Sequence, residues 1–402
     1  MSEPEPKPEP EPKPKPEPEL LKTHWGASKE VTEAILECLE SALKRLVESQ
    51  SKSLLKKFFT RDIVDKLKMK TSKFGATLQD CIDPGVNNLE LEIGLTAVDP
   101  DCYRVYADLF VPIIEAYHKI EKDTPQPGID NWGFIPDFRN VDPKGEHVVS
   151  TGVTCFRNLR GYPFSPLMTE TNFRDIEAKL LIALRQLSGE LSGTYYPLGD
   201  IPENTRYEFI AENYYKDGKR VIGSADSNSY WPSGRGLYYN PIKTFMAYIG
   251  EEDHIMLVSK QPGGNVGAVF QRLITALETL QEWVEFSTDQ RFGYLTSCPS
   301  NVGQAIRPYF HIKIPKLASD RPRLIELAAK YDMAVREIIE EPINMHGIYE
   351  LYNAKRLGTT EYHSVKVMTQ GVIKIIEAEK AAPPVDYYKL YGHSSSAEQS
   401  GI

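Results

Sequence analysis

A change in hydrophobic periodicity near residue 145 most constrains the fold of this chain. Upstream of it, apolar residues recur at helical spacing, most clearly over residues 35–46. Downstream of it, short β-type runs such as 244–249 alternate with long amphipathic segments such as 266–286. The pattern predicts an α+β chain, with a small all-helical domain over residues 28–120 and a larger domain of strands and helices over residues 146–380.

Three further segments lack either periodicity. Residues 1–27 begin with eight prolines that alternate with Glu or Lys, from Pro4 to Pro18. This composition predicts an extended polyproline-II tail that serves as a linker or, alternatively, as a spacer or docking arm. Residues 121–145 are rich in Pro, Gly and Asp and are predicted to link the two domains. Residues 381–402 are predicted to form a loose C-terminal tail.

Charge and cysteine content exclude several function classes. The net charge of −9, without a dominant basic face, argues against nucleic-acid binding. Five cysteines without a CxxC pair argue against a disulfide framework or a structural zinc site and favour a reducing compartment, the cytoplasm. The chain starts too polar for a signal peptide, and no apolar run is long enough to span a bilayer. We therefore expect no membrane partner.

Two motifs suggest cation or thiol chemistry. Cys298 opens the turn CPSNVG, where nearby backbone amides would lower the pKa of a thiol; the alternative is a small buried thiol. Three carboxylates follow a predicted strand in the run Glu251-Glu252-Asp253-His254. Such a group suits a cation or a guanidinium, and the alternative is a solvated turn.

Two glycine-rich motifs suggest anion binding. In the run 231–236, glycines flank Arg235 and permit close approach of the backbone to an anion, although such turns are common. The run GGNVG at 263–267 precedes a predicted helix. Its start suits either an anion or a simple N-terminal cap.

The order and spacing of these four motifs resemble the phosphagen kinases, and among them the arginine kinases. The runs 51–57, 74–81, 106–110, 311–318 and 356–361 follow the same family pattern, so the resemblance covers roughly residues 28–380. It implies that the larger domain contains an antiparallel β-sheet flanked by helices. It also implies a cleft between the domains, in which Mg-ATP and a guanidino compound exchange a phosphoryl group.

The resemblance implies that the residues that hold the guanidinium group of the substrate are all present. Glu252 matches the main carboxylate, Glu341 falls at the second carboxylate position, and Cys298 matches the reactive cysteine. Glu90 and Arg220 fall where family members make a contact between the domains. No residue is assigned as a metal ligand.

The residues at the positions that hold the nucleotide depart from the family pattern. Of five arginines that hold the phosphates, only Arg307 and Arg336 are retained. The other three positions are Gly152, Thr154 and Met256. The position of the adenine-packing histidine holds Glu212, and in the closing loop an arginine position holds Ile339 and a glycine position holds Glu340.

The substrate loop departs as well. Arginine-specific members carry Ser-Gly-Val-Gly-Ile-Tyr, and the tyrosine helps to hold the amino-acid end of the substrate. The aligned run here replaces that tyrosine by threonine and comprises Leu91, Glu92, Ile93, Gly94, Leu95 and Thr96. A ligand of about the size of arginine still fits, but its identity stays open.

These departures favour a pseudokinase that is kept for a binding or structural role, and a cytoskeletal or flagellar assembly is the proposed setting. One alternative is an active arginine or phosphagen kinase that is weakened or has an altered substrate. Another is a sensor that binds a guanidino compound without phosphoryl transfer.

Overall fold

Short helices build the N-terminal part of the chain. The structure is a computed structural model that describes residues 31–202, 230–338 and 347–384. Upstream of residue 120 it contains α1 (Glu33–Glu48), α2 (Leu54–Phe58), α3 (Arg61–Leu67), α4 (Leu78–Asn87), α5 (Cys102–Val105) and α6 (Ala107–His118). The predicted all-helical N-terminal region is therefore confirmed.

Serine and threonine residues fix where the first four helices begin. Thr32, Ser53, Thr60 and Thr77 each accept a hydrogen bond from the backbone amide three residues downstream. These bonds satisfy amides that have no partner inside the helix. At Thr77 the bond is reciprocal, because Asp80 accepts from the Thr77 amide in a capping box.

Over the described residues, the larger part contains an antiparallel sheet of eight strands, and the predicted antiparallel sheet is confirmed. The strands lie in the order β2-β3-β4-β5-β1-β8-β10-β9. They are β1 (Val148–Arg157), β2 (Thr194–Pro197), β3 (Gly236–Tyr239), β4 (Phe245–Ile249), β5 (Ile255–Pro262), β8 (Ile306–Lys313), β9 (Met333–Glu337) and β10 (Ile348–Asn353). A separate hairpin pairs β6 (Thr288–Asp289) with β7 (Gly293–Tyr294).

Helices pack against one face of this sheet. They are α7 (Glu170–Leu184), α8 (Val266–Gln281), α9 (Pro315–Ala318), α10 (Arg321–Ala329) and α11 (Glu361–Ala381). Helix α8 packs against β1 and β5, and α11 packs against β8 and β10. Val153, Leu257 and Phe310 point into this core beside Phe270 of α8. Because side chains alternate along a strand, the neighbouring residues on these strands lie on the opposite face.

The helical region is joined to the larger part by an apolar contact. Its core includes Phe164, Phe292, Leu295, Val302 and Leu357, all of which come from loops of the larger part. The proposed limits at residues 28, 120, 145 and 380 stay predictions. Residues 1–30 and 385–402, which contain both predicted tails apart from a few residues, lie outside the described residues. Within the described ranges, no helix is both long and apolar enough to cross a membrane.

One close backbone approach positions the predicted substrate loop. A Cβ added to Gly85 of α4 would lie 2.2 Å from the Gly94 carbonyl oxygen. Gly94 itself has a φ of +72°, which favours glycine. Helix α4 and the loop therefore touch through two glycines, and the loop conformation depends on that contact.

Gly85→Ala should lower the free energy of unfolding by about 1–3 kcal/mol, because the overlap with Gly94 is with fixed backbone atoms. Alanine improves helix propensity by only about 1 kcal/mol, which does not offset the overlap. Urea unfolding measures the change. Gly128→Ala is the matched control, since nothing lies within 4 Å of its added Cβ. Equal stability of the two variants would contradict the contact.

Candidate active site

A rigid turn carries the carboxylate run between β4 and β5. Gly250 opens it with a φ of +75°, and its N–H donates to the His254 carbonyl. The buried Asp253 carboxylate accepts from Asn158 Nδ2 at 2.6 Å and from the Ser297 amide at 2.7 Å. The turn is thereby fixed both to the end of β1 and to the loop that contains Cys298.

His254 fixes the same turn from its other side. Its Nδ1 accepts from the Leu159 amide, and its Nε2 donates to the Pro163 carbonyl at 2.8 Å. Burial lowers the pKa of His254 to about 4, in agreement with the neutral ring that these two bonds require. Asp253 and His254 are therefore framework residues, while Glu251 and Glu252 remain partly exposed.

Arg235 also supports this turn, and the structure gives no sign that it binds an anion. The side chain is buried, stacks on Phe173 at 3.9 Å and donates from Nε to the Gly250 carbonyl. Burial lowers its pKa to about 10. In the second glycine-rich motif, Asn265 accepts from the Ala268 amide, so this motif forms the N-terminal cap of α8.

Glu252 and Cys298 form an electrostatically linked pair. Burial raises the pKa of Glu252 above its usual range, and the charges of Asp253 and Glu251 raise it further. Burial, followed by the charge of Glu252, raises the pKa of Cys298 to about 12. Both side chains are nevertheless partly exposed. A ligand can therefore reach both Glu252 and Cys298, and a positive charge on that ligand would stabilise the ionised form of each group.

The prediction of a lowered thiol pKa at Cys298 was wrong. The Cys298 Sγ lies 3.0 Å from Ser300 Oγ, and the Ser300 hydroxyl and amide favour the thiolate. Burial and the negative charge of Glu252 oppose it and outweigh both. The physical reason is first the burial of the sulfur and second the carboxylate of Glu252 near it.

Two residues that the sequence analysis missed hold the Cys298 loop. The buried ring of His118 at the end of α6 lies with Nε2 3.1 Å from the Pro299 carbonyl. Arg356 donates from Nη1 to the Ser300 carbonyl at 2.8 Å, and its own amide donates to His118 Nδ1. Neither residue stands in a motif with local chemistry, although Arg356 opens the recognised run 356–361.

The predicted phosphate positions share the sheet face that lies opposite the helices. In the register, Thr154 lies beside Arg307, and Phe156 lies beside Met256. Gly152 lies beside Tyr309, two residues along β8 from Arg307. Residues opposite one another in a sheet project to the same face. The face therefore runs from the Glu252 turn, past Met256, towards Gly152.

The ring of Tyr309 lies directly over Gly152. A Cβ added to Gly152 would be 2.2 Å from Tyr309 Cζ and 2.3 Å from its hydroxyl oxygen. Any longer side chain at position 152 therefore requires Tyr309 to move. Tyr309 was missed by the sequence analysis, although the period-two spacing from Arg307 along β8 marks it as a residue of the same face.

Arg307 and Arg336, the two retained arginines, share one carboxylate. Both donate from Nη2 to Glu350 of β10, which is buried. Arg307 also lies over the ring of Tyr352 at 4.1 Å. Burial opposes ionisation of Glu350, but His311 and the two arginines outweigh it and hold its pKa at about 2. Glu350 was not identified from the sequence.

The predicted substrate loop lies next to the Cys298 loop. The Glu92 and Ile93 carbonyls accept from the Leu54 and Leu55 amides of α2, at 2.8 and 2.9 Å. Further along the loop, the Ala97 amide donates to the Ser297 carbonyl at 2.8 Å. The backbone is thus held at both ends, and the Glu92 side chain is exposed.

Several predicted residues lie outside the described residues. Glu90 is exposed, but its expected partner in the other domain, Arg220, lies outside the described residues. The same is true of four further predicted positions, namely Glu212, Ile339, Glu340 and Glu341. Across the ranges that are described, no group of three His, Cys, Asp or Glu is suited to hold a metal ion.

The comparisons with known proteins agree with this architecture. Residues 175–382 match the family "ATP:guanido phosphotransferase, C-terminal catalytic domain", and residues 49–115 match the corresponding N-terminal domain. The chain belongs to the ATP:guanido phosphotransferase family. The family resemblance inferred from the motifs is thereby confirmed.

The relatives are phosphagen kinases. The chain is 44% identical to an arginine kinase of Schistocerca americana, over 87% of this chain and 99% of that one. It is similar to the substrate-free duplicated taurocyamine kinase from Schistosoma mansoni, with a TM-score of 0.81 and 33% identity. That match covers 85% of this chain and about half, 49%, of the duplicated one. Lombricine kinase matches with a TM-score of 0.75 and 30% identity, over 82% of this chain and 93% of that one.

Glu350→Gln should lower the free energy of unfolding at pH 7 by about 3 kcal/mol, because two arginines lose their shared charge. The folded pKa of Glu350, about 2, lies below its value of about 4.3 in an unfolded chain. The stabilisation is therefore complete above about pH 5 and is lost as the pH falls towards 2. Urea unfolding of both proteins at pH 7, 5 and 3 measures it.

Glu337→Gln is the matched control for this prediction. Glu337 neighbours Arg336 in sequence but is exposed, and it makes a surface ion pair with Arg321 at 3.6 Å. Its loss should change stability by less than about 1 kcal/mol. A difference between wild type and Glu350→Gln that stays constant over the whole pH range would contradict the ionised network.

Proposed function

We propose that this member of the family binds a guanidino compound but has lost most of its phosphoryl-transfer activity, and so acts as a pseudokinase. The observation that carries the proposal is the ring of Tyr309 over Gly152, on the sheet face that also carries Thr154 and Met256. On this face, three phosphate positions are uncharged, and an aromatic ring fills the space next to one of them.

Mg-ATP does not fit the residues that are present. Gly152, Thr154 and Met256 offer no charge to a triphosphate, and Arg307 and Arg336 already neutralise Glu350. A charge-assisted hydrogen bond contributes roughly 1.5–3 kcal/mol, so the loss of three removes several kcal/mol of nucleotide affinity. An arginine that stabilises the transferring phosphoryl group is worth about 10³–10⁵ in rate. We therefore derive no transfer step for this chain.

In contrast to the predicted phosphate positions, the residues predicted to bind the guanidinium group favour a charged ligand. Glu252 and Cys298 are partly exposed, and burial disfavours the ionised form of each; the charges of Asp253 and Glu251 add to this effect at Glu252, and the charge of Glu252 adds to it at Cys298. A guanidinium is planar, always charged and presents forked N–H donors that match a carboxylate. Its binding would offset the repulsion that raises both pKa values. This electrostatic need supports a cationic ligand at the pocket.

Mg·ATP should give no calorimetric heat of binding with the purified protein, either alone or with L-arginine. Phosphoryl transfer should be at least about 10³-fold slower than that of the Schistocerca arginine kinase assayed in parallel, because the phosphate charge is not neutralised. Combining Gly152→Arg, Thr154→Arg and Met256→Arg with Tyr309→Ala should restore measurable ATP binding. Arginine-dependent turnover by the unmodified chain would overturn the proposal and favour a remodelled, active kinase.

Guanidino binding should tighten as the pH rises, by up to about tenfold per unit, until Glu252 is ionised in the free protein. The sign follows from the raised pKa of Glu252, because the cation binds the carboxylate form and releases its proton. Calorimetry with alkylguanidines in buffers of different ionisation enthalpy measures the affinity and the proton release. Affinity that is independent of pH, without proton release, would rule out Glu252 as the binding carboxylate.

Glu252→Gln provides a second readout of the same group. It should abolish guanidino binding, yet make the protein more stable than wild type at pH 8. Since the folded pKa is raised, the stability associated with Glu252 is present at low pH and is lost as the pH rises. Lower stability of the variant at pH 8 would contradict this assignment.

The role of such a binder in the cell is a separate matter. The alternating Pro, Glu and Lys of residues 1–20 are consistent with a tethered component of a larger assembly. Cytoplasmic location and association with a cytoskeletal or flagellar partner stay predictions. Isolation of the protein from native cells in a stable complex is the result that would support them.

A further inference from the structure

We propose that Cys81 and Cys102 form a reversible thiol–disulfide pair, which hydroperoxides oxidise and thiols reduce. The two sulfur atoms lie 3.7 Å apart, and both cysteines are fully buried and free. Cys81 lies in α4, and Cys102 is the first residue of α5. This inference concerns a modification site and is independent of the proposed guanidino binding.

The contact between the two sulfur atoms is close enough for a bond to form without rearrangement of the fold. The sulfur atoms of a disulfide lie about 2 Å apart, so Cys81 Sγ and Cys102 Sγ must approach by about 1.7 Å. Rotation about the Cα–Cβ bonds moves the sulfurs by comparable distances. A transient bond of this kind is compatible with a reducing compartment, where disulfides are typically redox-sensing rather than structural.

A buried carboxylate lies next to one of the two thiols. Asp99 accepts from the Cys102 amide at 3.0 Å and from the Ser72 hydroxyl, and the Cys102 thiol is a further donor to it. Burial raises the pKa of Asp99, and these donors only partly oppose the shift. A carboxylate with a raised pKa is a better proton acceptor. Asp99 can therefore take the proton when Cys102 acts as a nucleophile.

Access of an oxidant to the pair depends on local opening of α4. Burial raises the pKa of both thiols, so little thiolate is present while the pair stays buried. Pro84 lies inside α4 and removes one backbone donor from this helix of ten residues, and Gly85 next to it has a low helix propensity. Short segments with a weakened backbone open more readily than a core. We therefore expect opening to expose Cys81 first.

Oxidation by hydrogen peroxide then takes two balanced steps. The Cys81 thiolate attacks one peroxide oxygen, the O–O bond breaks, and a sulfenic acid forms while the second oxygen leaves as water after protonation. The Cys102 sulfur, after loss of its proton to Asp99, attacks the Cys81 sulfur. The S–O bond breaks, and hydroxide leaves as water with the proton that Asp99 held. The two sulfurs lose two electrons, and the peroxide gains them.

The new bond closes a ring around residues 82–101. Two contacts already hold this segment, because the Thr96 amide donates to the Cys81 carbonyl at 2.9 Å and Gly85 meets the Gly94 backbone. A covalent link restricts opened and unfolded states more than it restricts the folded state. Oxidation should therefore hold α4 and the loop that follows it in their closed arrangement.

Hydrogen peroxide treatment of the full chain, followed by digestion without reductant and mass spectrometry, tests the pair. One tryptic peptide, residues 74–104, contains both cysteines, so the disulfide appears as the loss of two hydrogen atoms from that peptide. Further cleavage after Glu90 or Glu92 should leave two fragments that remain linked until dithiothreitol separates them. Amide hydrogen exchange of residues 78–96 should slow by about tenfold in the linked protein, and unchanged exchange would contradict the effect on α4.

Single substitutions test the order of the two steps. In Cys102→Ser, dimedone should trap a sulfenic acid at Cys81, whereas in Cys81→Ser it should leave Cys102 unlabelled. Asp99→Asn keeps an oxygen that can accept from the Cys102 amide but removes the proton acceptor. This variant should form the disulfide at least about tenfold more slowly, while dimedone labels Cys81. Dimedone labelling of Cys102 instead of Cys81 would overturn the proposed order.

Two other cysteines serve as internal controls. Cys38 is exposed and reports the general reactivity of a thiol with the oxidant, whereas Cys155 is buried in β1 and reports unfolding of the larger part. A link between Cys81 and Cys102 with Cys155 unmodified supports the inference. Oxidation of Cys38 without this link, or a link that forms only together with modification of Cys155, would overturn it.

Discussion

The buried carboxylate of Asp253 is the interaction on which the candidate site depends. It accepts from Asn158 at the end of β1 and from the Ser297 amide in the Cys298 loop. Burial raises the pKa of Asp253, and these two donors partly oppose that shift. One side chain thereby sets the distance between Glu252 and Cys298. Loss of either donor would leave a buried carboxylate poorly satisfied, which is among the more costly changes in a protein core.

The two halves of the site are held by different kinds of structure, so substitutions cost them different amounts. The guanidinium half is a turn and a loop tied together by buried hydrogen bonds, and few changes preserve it. The proposed nucleotide half is a sheet face against which none of the helices in the described residues packs, and Thr154 and Met256 on this face are only partly buried. Side chains on such a face can change without disturbing the core. On the proposed assignment, substitutions on this face leave the hydrogen bonds that hold the Glu252 turn and the Cys298 loop unchanged.

Periodicity predicted the fold class because helices and sheets bury their apolar residues at different spacings. The capped starts of the first helices, at Thr32 and Thr77, were also encoded locally. The Tyr309 ring over Gly152 was not, because the two residues are distant in sequence and meet only through the register of β1 and β8. The sharing of Glu350 by Arg307 and Arg336 likewise depends on strand order. The raised pKa of Cys298 depends on burial and then on the charge of Glu252, and neither can be seen in the local sequence of the turn.

Glu252 differs from the residues that surround it in having no structural reason to be acidic. Asp253 and His254 make hydrogen bonds that hold the turn, whereas burial and the neighbouring carboxylates disfavour the ionised form of Glu252. Its raised pKa therefore costs stability at neutral pH, because Glu252 ionises more readily in the unfolded chain than in the folded protein. A glutamine of the same shape would relieve that cost without altering the framework. Strain of this kind is typical of groups that serve a ligand. Glu252, close to a sheet face on which Gly152, Thr154 and Met256 are uncharged, is thus consistent with the proposed binding of a guanidino cation.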